Sequence, residues 1–102
     1  MTTEHIVHVK APGIRPPYYL VAELLWGAGC DFDSDGNSHT PEDGEWTELS
    51  LVLRSDVGQR VDIDPVSTEP LVLGVRSTHE SLASQAARFL ALHTGGALVG
   101  GV

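Results

Sequence analysis

Alternating apolar and polar residues predict several short β-strands. The clearest alternation lies in residues 46–55, where three leucines at every second position share one face and polar side chains share the other. Residues 59–64 and 71–77 show the same pattern, and short turns separate the three segments. Such short links suit hairpins, so a three-stranded antiparallel meander is expected. Residues 5–11 predict a further strand near the start of the chain.

Two other segments have the three- and four-residue spacing of apolar side chains that predicts a helix. The first is RPPYYLVAELLWGAGC, in which two prolines stand at the first turn and Gly27 and Gly29 end the helix. The second is SLASQAARFLALH, preceded by Ser77 and Glu80 in a capping-box arrangement and followed by Gly95 at the position of a left-handed cap. The final stretch ALVGGV predicts a short last strand.

The predicted order of elements is β-α-β-β-β-α-(β), which indicates an α+β fold. We expect a mainly antiparallel sheet with both helices packed on one face. A length of 102 residues and a hydrophobic content of 41% predict that residues 1–102 form a single domain with its own core.

The charge balance of the chain narrows the classes of function. Fourteen acidic residues stand against six Lys and Arg, which gives a net charge of −8. Because nucleic acids are bound through Lys and Arg at their phosphates, no nucleic-acid partner is expected. No apolar run approaches the roughly 20 residues that span a bilayer, so no membrane partner is expected either. The N-terminal stretch lacks the pattern of a signal peptide and the lone Cys30 suits a reducing compartment, which together predict a cytoplasmic protein.

No catalytic motif is present in the sequence. The chain has no glycine-rich phosphate loop, nucleophile elbow or metalloprotease helix. The sequence therefore predicts no catalytic residues and a non-enzymatic protein.

The acidic residues are concentrated in one segment. Seven of the fourteen lie between Asp31 and Glu48, where there is no Lys or Arg. Such a segment suits a basic protein partner, which it would attract by complementary charge, and Trp46 would add an aromatic anchor if it faced outward. The predicted partner-binding residues are Asp33, Asp35, Asp43, Glu45, Trp46 and Glu48.

The same segment offers an alternative, because DFDSDGNSHTPE has the ligand spacing of an EF-hand calcium loop. The loop would take side-chain and backbone oxygens at alternating positions and bend sharply at Gly36. The resemblance covers only these twelve residues: a strand is predicted where an EF-hand has its second helix, and no second loop occurs. The predicted calcium ligands are Asp31, Asp33, Asp35, Asn37 and Glu42.

A small, acidic, single-domain α+β chain without a catalytic motif resembles the immunity proteins of bacterial toxin systems. The ending ASQAARFLALHTGGALVGGV is similar to the helix-TGG-strand tail of some of these proteins. The resemblance implies a small bacterial inhibitor that covers a basic toxin with an acidic face. The oligomeric state is not indicated by the sequence.

Overall fold

The computed structural model describes residues 4–99. In chain order the elements are β1 (His5–Lys10), α1 (Tyr18–Trp26), β2 (Phe32–Gly36), β3 (Leu49–Leu53), β4 (Arg60–Thr68), β5 (Leu71–Ser77), α2 (Glu80–Thr94) and β6 (Ala97–Val99). The strands form one sheet in the order β2-β3-β4-β5-β1-β6, and every neighbouring pair is antiparallel. The predicted α+β class is confirmed, and the predicted elements follow one another in the predicted order, with one additional strand, β2, after α1.

The core lies between the two helices and one face of the sheet. The alternating residues of β3, β4 and β5 are buried on this face, as the sequence predicts, and Val9 of β1 joins them. The buried apolar side chains belong to one cluster. On α2 the sheet-facing side is rich in alanine, which lets the helix lie close to the strands; its buried residues are Leu82, Ala83, Ala86, Ala87 and Leu90.

The helix ends differ in how well the sequence predicts them. α1 follows the two prolines and ends where Gly27 takes a positive φ of 95°, and α2 ends at Gly95 in the left-handed region. The predicted capping box of α2 does not form. Ser77 is still part of β5, where its hydroxyl donates to the carbonyl of Arg60 (2.6 Å) and accepts the N–H of His79 (3.1 Å). The helix therefore begins after His79, without a side-chain cap.

Strand β2 was not predicted, because the sequence indicated only a loop between α1 and the meander. Phe32 is the only apolar residue of β2 able to pack towards the core, and it is half-buried. Pairing with all five residues of β3 holds the segment extended at the edge of the sheet. β2 thus brings the first part of the acidic segment into the sheet.

None of the helices in residues 4–99 has the length and apolar character needed to cross a membrane.

Candidate binding surface

The sheet face opposite the helices carries the polar residues of the alternating strands. Residues directly opposite each other on neighbouring strands share a face, and one row across four strands reads Asp35, Ser50, Asp62 and Arg76. No helix of the described part of the chain covers this face, which we call the open face. An antiparallel sheet tolerates this because polar side chains can meet solvent on one side.

Asp62 lies at the centre of the open face and is held by hydrogen bonds from two neighbouring residues. Its carboxylate accepts hydrogen bonds from Ser50 Oγ (2.6 Å) and from Arg60 through both Nε and Nη2 (3.0 Å each). Burial by itself raises the pKa of Asp62, but the hydrogen bonds from Arg60 and Ser50 outweigh it, so the pKa is lowered. Asp62 is therefore a structural carboxylate whose charge is already compensated.

Arginines compensate several other acidic groups on or near the open face. Arg54 contacts Asp31 and Asp33, with nitrogen–oxygen distances of 2.8 Å each. Arg76 contacts Asp64, and it also lies 3.7 Å from Glu4. Of the first three aspartates of the acidic segment, Asp31 and Asp33 are thus paired with a cation of the same chain.

The carboxylates of Asp35, Glu45 and Glu48 are exposed and form no ion pair within residues 4–99. Asp35 and Glu48 line one shallow depression together with Ser50 and Asp64. If the register of the pair Leu49–Ile63 is continued by one residue, Glu48, which directly precedes β3, comes opposite Asp64. Like charges opposite one another on neighbouring strands destabilise a sheet, and here Arg76 offsets the charge of Asp64. We call Asp35, Glu48 and Asp64 the acidic depression.

The Asp43 side chain has a role in the fold. Its carboxylate accepts the backbone N–H of His39 and of Glu45, at 2.9 Å each. These two hydrogen bonds lower the pKa of Asp43. The prediction that Asp43 contacts a partner stays a prediction, but its side chain already has a role in shaping the turn before β3.

The prediction of Trp46 as an outward aromatic anchor is wrong. Its side chain is only 1% exposed, and its indole N–H donates to the carbonyl of Pro16 (2.8 Å) in the core. The alternation of residues 46–55 placed Trp46 on the polar face, but β3 begins only at Leu49. The two-residue period does not extend to a residue that lies outside the strand.

The five predicted calcium ligands do not converge. In an extended strand alternate side chains share a face but advance by about 3.3 Å per residue, so Asp33 and Asp35 are about 7 Å apart along β2. Asp31 lies before the strand. The Asn37 amide oxygen accepts the N–H groups of Thr47 and Glu48. The Glu42 carboxylate accepts the hydroxyl of Tyr19, at 3.3 Å.

No group of three or more His, Cys, Asp or Glu side chains in the described range 4–99 is arranged to hold a metal ion. In this arrangement Asp31 and Asp33 face Arg54, so a calcium ion would have to displace a cation and draw β2 out of the sheet. Calcium binding stays a prediction of the sequence.

Sequence reasoning missed Asp64 as part of the surface. Asp62 and Asp64 alternate around the buried Ile63, which indicates that both face away from the core. That Asp64 comes beside Glu48, and not beside some other residue, depends on the register between β3 and β4. No single-strand pattern contains this information.

Comparison with protein-family models, with curated proteins and with solved structures finds no significant match to this chain.

Proposed function

We propose that this protein is a non-enzymatic binding module that engages a basic protein partner through the acidic depression, with Glu45 as a further contact. The observation that carries the proposal is the distribution of cations. Arg54, Arg60 and Arg76 compensate other carboxylates and Asp64 of the depression, whereas Asp35 and Glu48 have no cationic neighbour in ion-pair range in the described chain. A basic surface would supply the missing positive charge at Asp35 and Glu48.

The directions of their pKa shifts make Asp43 and Asp62 poor general acids at neutral pH. General acid–base catalysis at neutral pH is served best by carboxyl groups whose pKa is raised towards 7. Here hydrogen bonds from His39 and Glu45 lower the pKa of Asp43, and those from Arg60 and Ser50 lower that of Asp62 despite its burial. Both shifts move the carboxyl groups away from the range that catalysis uses.

The inhibitor role rests on the resemblance to bacterial immunity proteins. In that reading the partner is a toxin with a basic active-site cleft, and the protein meets it in the cytoplasm. Such a partner would bind an acidic face whose charges are partly uncompensated in the free protein. Complementary charge speeds association of the two proteins and disfavours wrong partners.

The test compares two double variants of equal charge. Asp35→Asn with Glu48→Gln removes two charges from the acidic depression. Glu69→Gln with Glu80→Gln removes two exposed charges from the β4–β5 turn and the start of α2. Asp43 is left intact because its loss would disturb the turn that positions Glu45.

Each protein is immobilised and used to capture partners from a lysate of the source organism, and Kd is then measured with the purified partner. We expect a basic partner whose affinity falls roughly tenfold or more in the depression variant and little in the control. A partner that binds both variants as tightly as the original protein would refute the proposed surface.

A further inference from the structure

Strand β2 leaves one edge of the sheet unpaired within the described residues. Arg54 N–H donates to the carbonyl of Asp31 (3.0 Å), and Asn37 N–H donates to the carbonyl of Glu48 (3.2 Å). Backbone groups that face one neighbour recur at every second residue of an antiparallel strand. Those of residues 33 and 35 therefore also face β3, and those of Phe32, Ser34 and Gly36 point outward.

The side chains along this edge have different chemistry on its two faces. Asp33 and Asp35 lie on the open face, opposite Val52 and Ser50 of β3. On the helix side Phe32 is half-buried, and Ser34 and Gly36 border a shallow depression lined by Tyr18. A strand added here would place every second side chain against carboxylates and the others against a mixed, partly aromatic surface.

The charges on the edge select among possible occupants. A second copy pairing through its own β2 would add its Asp33 and Asp35 to this edge. Arg54 compensates only Asp33 in each copy, and the remaining like charges would destabilise the shared sheet. A segment with Lys or Arg at alternate positions would meet complementary charge instead. Main-chain hydrogen bonds would provide affinity, and the alternate side chains would provide specificity.

We propose that the outer edge of β2 receives an extended segment of the partner, added to the sheet as a seventh strand with basic side chains on the open face, where one of them faces Asp35. This proposal rests on the function proposed above and specifies that the part of the basic partner that contacts this surface is an extended strand. Because β2 borders the acidic depression, the added strand and the partner's basic surface would be continuous.

The first test uses a blocked peptide of alternating lysine and valine, equal in length to β2. Binding is measured by NMR titration, together with amide hydrogen exchange of Ser34 and Gly36. We expect those two amides to exchange more slowly in the complex, because they would become donors to the peptide. A second peptide of the same sequence, N-methylated at alternate amides so that the amides meeting β2 cannot donate, should bind roughly tenfold more weakly or worse.

Equal binding of the two peptides, without protection of Ser34 and Gly36, would overturn strand addition but leave the acidic surface as a binding site. Failure of the lysine–valine peptide to bind would overturn strand addition as well. The capture experiment with the depression variant judges the proposed function separately, since it requires no particular form of the partner.

A pair of variants tests the same edge from the side of the protein. Ser34→Pro removes an outward N–H without removing a bond to β3, and proline is tolerated on edge strands when its nitrogen faces outward. Ser34→Ala keeps the N–H and serves as the matched control. We expect peptide affinity to fall severalfold in Ser34→Pro alone, and equal affinity of the two variants would contradict the proposal.

Discussion

Replacing Trp46 by Phe tests the structural role that the indole plays beneath the acidic segment. The Trp46 indole N–H donates to the backbone carbonyl of Pro16 in the core, at 2.8 Å. The backbone carbonyl of Trp46 accepts a hydrogen bond from Arg15 Nε, also at 2.8 Å. The residue therefore joins the segment before α1 to the end of the acidic segment. Phenylalanine would keep most of the apolar contact and leave the Pro16 carbonyl without this donor.

The expected cost follows from two contributions. An unsatisfied buried carbonyl costs about 1–3 kcal/mol, and the void left by the smaller ring adds about 1 kcal/mol. We expect the free energy of unfolding to fall by about 2–4 kcal/mol, out of a total of about 5–15 kcal/mol for a domain. Trp26→Phe is the matched control. Its N–H donates to the half-exposed side chain of Gln59 (2.9 Å), which can turn to water, so we expect a loss of only about 0.5–1.5 kcal/mol.

Urea unfolding followed by far-ultraviolet circular dichroism measures both variants without depending on tryptophan fluorescence. The slope of free energy against urea concentration should stay the same, so that the midpoint reports stability. The Trp26→Phe protein also leaves Trp46 as the single tryptophan, and its emission should be that of a buried indole. If Trp46→Phe is no more destabilised than Trp26→Phe, the buried hydrogen bond does not have the role assigned to it.

Three further predictions concern the sheet and the acidic segment. The pKa of Asp62 is lowered in the folded state from an ordinary value of 3.8, so its charge stabilises the fold above that pH and the contribution is lost as pH falls further. Urea midpoints measured at a series of acid pH values should therefore show the stability difference between the original protein and Asp62→Asn shrinking below about pH 4. A difference that stays constant would contradict this. A Cβ at Gly36 would collide with the carbonyl of Glu48, whereas one at Gly58 would meet only a side-chain oxygen at 3.4 Å. Gly36→Ala should therefore lower the free energy of unfolding by about 1–3 kcal/mol, which a lower melting temperature would reveal. Gly58→Ala should change the melting temperature far less. Because the predicted calcium ligands do not converge, millimolar calcium should give no heat in calorimetry and no rise in melting temperature, whereas a clear rise would show that the segment rearranges to bind the ion.

The strands of the meander could be predicted because one face of each is buried. Leu49 and Leu51 of β3, and Val61 and Ile63 of β4, fall on the core face as the two-residue period requires. The end of α2 could be predicted for a similarly local reason, since a left-handed residue after a helix favours glycine and Gly95 adopts that conformation.

The acidic segment could not be predicted in the same way, because its pattern fits two structures. Aspartates at alternate positions share a side both in a calcium loop, where the chain curls around an ion, and in an extended strand. What keeps Phe32–Gly36 extended is pairing with β3 and the contacts of Arg54, which is far away in sequence. The composition of the acidic depression depends on register for the same reason.

Salt dependence of association is the most direct test of the proposed binding surface. The association rate constant of the captured partner should be measured by stopped flow at several ionic strengths for the original protein, for the Asp35→Asn, Glu48→Gln variant and for the Glu69→Gln, Glu80→Gln control. We predict that the rate constant falls with salt for the original protein and the control, and that the depression variant starts slower and depends less on salt. Equal rates and equal salt dependence for the two variants would contradict the account, because they would show that the partner does not distinguish the acidic depression from charge elsewhere on the protein.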